Sequence, residues 1–167
     1  KRILRDAGIE VVSWSEIRRA DFLTDPRGVV AALIEKRGLP CFVKPAAQGS
    51  SIGITRATSE DELREGLDGA FEHGEWVVVE PALNARELEV AVLGGEQLTI
   101  SVPGEIAAED WYDYASKYEN DSAELMVPAT GLQPLMIEGI QDISRRAFEV
   151  LRLHGMARID FFLGKKT

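Results

Sequence analysis

At 167 residues, 45% hydrophobic and 28% charged, the chain has material for one sizeable globular domain or for two small lobes sharing a cleft. Its net charge of −9, from 19 basic and 28 acidic residues, argues against a surface that displaces counterions from a nucleic-acid backbone. No apolar run nears the ~18 residues needed to span a bilayer, and the opening KRILRDAGIE lacks the apolar core of a signal peptide. Nucleic acid and membrane are therefore not expected as partners. The single cysteine, Cys41, cannot form an internal disulfide; beside Phe42 and Val43 it reads as a buried thiol. With no initiator methionine and an end at GKKT directly after a strand-like run, the chain is expected to be a fragment.

Three helices are predicted. The first has Asp25 as N-cap, Pro26 at the first helical position and Gly38 as its stop, with Val29, Val30, Leu33 and Ile34 apolar. The second opens on a capping box, Ser59 with Glu62, and places Leu63, Leu67, Ala70 and Phe71 at helical spacing before Gly74. The third runs from Pro134 to about His154, followed by Gly155. Between them, β-rich runs fall at 40–44, 51–56, 76–80, 88–93, 98–102 and 156–163. The runs at 76–80 and 88–93 are too close for a crossover helix, which predicts that they pair as antiparallel neighbours. Residues 103–131 show no periodicity and read as a loop, longer than compact domains tolerate without a task.

The most informative stretch is FVKPAAQGSSIGI, residues 42–54, with a lysine at the end of an apolar strand, then small residues, then another strand. Gly49 and Gly53 permit backbone conformations that turn N–H groups toward an anion, Ser50 and Ser51 add hydroxyls, and Lys44 adds charge. An isolated GSSxG is equally a Gly-Ser hairpin turn. The strand-loop-strand setting matches neither a Walker A loop nor a GxGxxG dinucleotide loop.

This loop resembles the glycine-rich loop of the ATP-grasp superfamily, in the VKPxxxGSSxG form of D-alanine:D-alanine ligases. Three further stretches, in the same order as in that family, extend the resemblance over nearly the whole chain. WVVVEPALNARELEVAVLG (76–94) is similar to the segment joining the two lobes, YDYASKY (112–118) to an ω-loop, and GMARIDFFL (155–163) to a strand carrying an arginine and a metal-binding aspartate.

The resemblance implies an α+β ATP-grasp fold of two lobes, with mainly antiparallel sheets, flanking helices and the nucleotide in the cleft between them. The small lobe would span 1–83 and part of the large lobe 84–167, with the ω-loop at 103–131. It implies that Lys44, Gly49, Ser50, Ser51 and Gly53 hold ATP phosphates, with Lys1 as a further ATP-binding lysine. Glu80 would accept from the adenine amino group, the backbone of Pro81, Ala82 and Leu83 would line the adenine edge, and Glu87 would take the ribose hydroxyls. Lys117 would contact the γ-phosphate, while Tyr118 and Ser50 would organise the second amino-acid subsite. Asp160 would bind Mg²⁺, with Mn²⁺ as a substitute and two ions in the complete enzyme, and Arg158 would steady the acyl phosphate and the tetrahedral intermediate. Taken alone, Glu80 and Glu87 read as surface strand ends, and Arg158 with Asp160 as an ion pair on one sheet face.

The implied activity is ADP-forming coupling of two D-alanine molecules for peptidoglycan precursors, in the cytoplasm, by a homodimer. Another ATP-grasp ligase, such as a D-alanine:D-lactate relative, is the neighbouring reading. A nucleotide-binding regulatory module without catalysis is the alternative of another class. The family's downstream ExNxxPG segment, which supplies the other metal-binding carboxylate, and its N-terminal domain are absent from this chain, so the fragment alone is expected to be inactive.

Overall fold

The computed structural model describes residues 1–94, 97–107 and 124–164. In chain order these form α1 (Arg2–Asp6), β1 (Ser15–Arg18), α2 (Arg19–Thr24), α3 (Pro26–Arg37), β2 (Cys41–Pro45), β3 (Thr55–Ala57), α4 (Glu60–Phe71), β4 (Trp76–Pro81), β5 (Ala85–Gly94), β6 (Leu98–Ile100), β7 (Gly104–Ala107), β8 (Glu124–Met126), α5 (Pro134–Val150) and β9 (Gly155–Gly164). The fold class is α+β, as expected, with two antiparallel sheets flanked by helices. The described residues divide into two units. One is 12–82, and the other joins residues 1–11 to those from 83 onward. The division thus falls one residue before the expected 83/84 boundary, and residues 1–11 group with the second unit.

In the unit 12–82 the sheet order is β1-β4-β2-β3. Its register sets Ile17 opposite Val77, Val43 opposite Val79 and Cys41 opposite Ala57. Because side chains alternate along a strand, all six face one side, where they form a core with Phe22, Val30, Leu33, Leu63, Leu67, Ala70 and Phe71. Cys41 is buried there, and desolvation raises its thiol pKa. The helices begin where side chains meet orphan N–H groups: Asp25 accepts from the Gly28 N–H at 2.9 Å, and Ser59 from the Glu62 N–H at 3.2 Å. The Glu62 carboxylate accepts from the N–H and hydroxyl of Thr58, each at 2.7 Å, one residue upstream of the reciprocal partner a capping box would use. Helix α4 lies close on the sheet at Gly66, where an added Cβ would approach Thr55 Cβ to 3.2 Å. Full burial of Leu63 and Leu67 contributes roughly 1.5–3 kcal/mol apiece.

Strand β5 organises the second unit. It pairs with β9 over ten residues along one edge, and with β6 and β7 along the other. Leu88, Val90 and Val92 point to a core completed by Ala129, Ile140 and Phe148. Helix α5 covers that side, and its buried Ser144 is satisfied by the Ile140 carbonyl at 2.8 Å. Arg86 ties β5 to β7 through a two-pronged pair with Glu105, Nε to Oε1 at 2.7 Å and Nη2 to Oε2 at 2.5 Å, and also donates to the Thr130 carbonyl at 2.7 Å. That carboxylate raises the Arg86 pKa. Among the described residues no buried side-chain N or O lacks a partner.

Three expectations change. The run 76–80 does not pair with 88–93, because both edges of β4 are occupied, by β1 and β2, and β5 belongs to the other sheet. The predicted strand 51–56 shrinks to Thr55–Ala57, since Ser51 and Gly53 have φ of 61° and 69°, which no strand tolerates. The stretch 103–131 is not all loop: β7 and β8 lie in it as an antiparallel pair, Glu105 opposite Met126. Helix α2 and strand β1 were also without a clear sequence signal. Among the described residues no helix is long and apolar enough to cross a membrane.

Candidate functional site

Lys44 and Glu80 reach the same face of the first sheet by register. Phe42 lies opposite Glu80 and Lys44 opposite Val78, so these four side chains share the face away from the core. Lys44 Nζ donates to Glu80 Oε2 at 2.8 Å and lies 5.6 Å from the centre of the Phe42 ring. The Glu80 side chain is 7% exposed and that of Lys44 26%. A carboxylate this buried is tolerable because the ammonium compensates it.

The turn between β2 and β3 holds the next candidates. Ser50 and Ser51 both take left-handed backbone conformations, φ 52° and 61°, and Gly53 follows at 69°. Bonds from Ile52 N to Gly49 O (3.1 Å) and Ile54 N to Ser51 O (3.2 Å) close it tightly. Two successive left-handed non-glycine residues cost about 1–2 kcal/mol each, and such strain concentrates at ligand-binding turns. The backbone freedom expected of Gly49 and Gly53 is used only at Gly53. A Cβ there would lie 2.4 Å from His73 Cδ2 and 2.9 Å from Pro45 Cγ, whereas Gly49 has open space around it. His73 thus packs under the turn, a placement its sequence position did not reveal.

At the end of β4, the Ala82 N–H donates to the Pro40 carbonyl at 2.9 Å, and Pro81 carries no N–H. Leu83 begins the second unit. Lys1 precedes α1 in that same unit, its carbonyl accepting from the Arg5 N–H at 2.9 Å.

The open face of β5 and β9 carries the remaining described candidates. Glu87 stands opposite Phe162 and Glu89 opposite Asp160, with Arg158 two residues from Asp160. Arg158 and Asp160 share one face, with Ile159 and Phe161 packed toward the core on the other, as the period-2 reading predicts. Asp160 accepts from Arg158 twice, Oδ1 from Nε at 2.8 Å and Oδ2 from Nη2 at 3.2 Å. Arg158 Nη1 is 3.3 Å from Glu89 Oε2. The Arg158 and Asp160 side chains are 59% and 63% exposed, that of Glu89 only 19%. Glu89 was not among the sequence candidates. Its signal was the alternation in ELEV, but its partnership with Asp160 needs the β5–β9 register. Among the described residues no three His, Cys, Asp or Glu side chains cluster to hold a metal. One or two hard carboxylate oxygens nonetheless suit Mg²⁺, which completes its shell with phosphate oxygens and water. Lys117 and Tyr118 lie outside the described residues.

Residues 3–167 match the family described as D-ala D-ala ligase C-terminus. Over its full length the chain is 37% identical to D-alanine--D-alanine ligase of Clostridium novyi (strain NT), of which it covers 49%. Among solved structures it superposes with a TM-score of 0.81 and 32% identity on D-alanyl-alanine synthetase A from Vibrio cholerae, covering 97% of this chain and 49% of that one. VanG D-Ala:D-Ser ligase from Enterococcus faecalis gives a TM-score of 0.81 at 30% identity, over 98% and 46%. The chain spans about half the length of the curated relatives it matches. With a match across nearly every residue and ATP-grasp neighbours that share the fold, this chain belongs to the D-ala D-ala ligase C-terminus family.

Proposed function

We propose that this chain is the nucleotide-handling part of an ATP-dependent ligase that joins two D-alanine molecules through D-alanyl phosphate, releasing ADP, in the cytoplasmic supply of peptidoglycan precursors. The observation that carries the reading is the charged face of β5 and β9, where Glu87, Asp160 and Arg158 stand together in a chain matching this family. In this reading Lys44 and the turn from Gly49 to Gly53 hold the ATP phosphates, with Ser50 and Ser51 as donors and Lys1 as a further cation. Glu80 accepts from the adenine amino group. Its bond to Lys44 leaves that role open, because a carboxylate has about four lone-pair sites. Ala82 already spends its N–H on Pro40, so the backbone donor at the adenine edge is assigned to Leu83. Glu87 takes the ribose hydroxyls.

Asp160 would hold a Mg²⁺ ion, or Mn²⁺ in its place, alongside ligands from outside this chain. Bound there, the ion would screen phosphate charge and orient the γ-phosphoryl group. The first D-alanine carboxylate attacks the γ-phosphorus, and ADP leaves. The amine of the second D-alanine then adds to the acyl carbon, gives up a proton to solvent, and phosphate departs as the amide forms. Arg158 stabilises the oxyanion of that addition and Lys117 the charge on the transferring phosphoryl group, contributions that positioning and preorganised charge supply in phosphoryl transfer generally. Tyr118 and Ser50 select the second substrate.

Two measurements test this on the intact protein. ADP and phosphate release with D-alanine as sole amino acid is the expected result. Release only when D-serine or D-lactate is added would favour the substrate of a relative such as the D-Ala:D-Ser ligase, and nucleotide binding with no release under any of these conditions would favour a regulatory module. Lys117→Ala should lower kcat on the order of 100-fold while leaving the melting temperature unchanged; wild-type turnover in that variant would sink the assignment.

A further inference from the structure

Glu89 has no part in the roles assigned above, yet it stands at the centre of the charged face. It is directly across the strand pair from Asp160 and 3.3 Å from Arg158 Nη1. Asp160 commits both of its oxygens to Arg158, Oδ1 to Nε and Oδ2 to Nη2. A divalent cation binding that carboxylate competes with the guanidinium for its oxygens and favours its release. The released guanidinium would then lie next to a dication, and repulsion would drive it off the face where the reaction needs it. Glu89 already holds its third nitrogen. Because Glu89 is mostly buried and fixed by β5, its charge is less screened than that of Asp160.

We propose that Glu89 is a positioning residue that takes over Arg158 when Asp160 turns to the metal ion, so that cation binding and the placement of Arg158 are coupled through one guanidinium changing carboxylates. This rests on the assignment of Asp160 as a metal-binding carboxylate. The step is an exchange of ion pairs, with no proton or electron moved. It predicts that Glu89 assists cation binding only through Arg158.

The test is Mn²⁺ affinity in the presence of ADP, read by electron paramagnetic resonance on the intact protein, with each variant's fold checked by its melting temperature. Glu89→Gln should weaken Mn²⁺ binding about tenfold, within the range of coupling found inside one ion-pair network. In an Arg158→Met background the same change should weaken it about twofold or less, because no guanidinium then competes for Asp160. An equal loss in both backgrounds would show that Glu89 ligates or simply attracts the cation, and no loss in either would show that it does nothing; both overturn the proposal while leaving the metal assignment intact. Asp160→Asn separates the two layers. Loss of Mn²⁺ binding in that variant is required, and retention would overturn the metal assignment and the exchange with it.

Discussion

Each sheet carries a lysine or arginine paired with an acid on the face away from its core, and the two pairs differ in their contact with water. Lys44 and Glu80 are largely withdrawn from it, while Arg158 and Asp160 are both more than half exposed. A withdrawn pair is interdependent, because losing one partner leaves the other charged and desolvated. An exposed pair adds little to stability, since water replaces either partner at small cost. The first pair therefore holds a preformed surface in one geometry, and the second is free to exchange.

Removing the base from each pair tests that contrast. Lys44→Met should destabilise the protein by about 2 kcal/mol in urea unfolding, short of the full penalty for a buried pair because Lys44 is partly wet. Replacing Glu80 as well, in a Lys44→Met, Glu80→Leu double variant, should recover most of that loss. Arg158→Met should cost about 1 kcal/mol, less than Lys44→Met because Asp160 stays solvated, yet more than an ordinary surface substitution because Glu89 is mostly buried. Equal losses at the two sites would erase the distinction between a rigid and an exchangeable pair.

How much of this was legible in the sequence depended on the range of the interaction. Helix limits were local and therefore readable: Asp25 with Pro26 and Gly38 bound α3, and Ser59 starts α4. The division of GMARIDFFL into a polar and an apolar face followed from period-2 geometry alone, and the order of four motifs carried the family resemblance. Pairing was not readable. Strand β4 finds β1, which lies some sixty residues earlier, and no composition signal links Val77 to Ile17. Strands β7 and β8 are four and three residues long, too short to show alternation. Side-chain partnerships that depend on register, Arg86 with Glu105 and Glu89 with Arg158, were hidden for the same reason. At the glycine-rich turn the glycines drew attention, yet two serines carry the left-handed backbone.

The smallest expected effect sharpens the same comparison from its exposed end. Glu62 is a surface carboxylate whose pKa is lowered, chiefly by the Thr58 hydroxyl and next by the Thr58 N–H, with smaller help from the Ser59 backbone and Arg56. A carboxyl group whose folded pKa lies below its unfolded value of 4.5 adds stability that is complete above pH 4.5. That contribution fades as the pH falls through the lower folded value, where the proton binds in both states. Thr58→Val removes the hydroxyl and keeps the N–H. The stability gap between wild type and Thr58→Val should therefore be constant above pH 4.5 and narrow below it, as followed by urea midpoints across an acid series. A direct titration of Glu62 by nuclear magnetic resonance should show its pKa rising in the variant. A gap that stays the same at every pH would mean that Thr58 supports α4 by packing alone, and that this exposed carboxylate is tied no more closely than a solvated one.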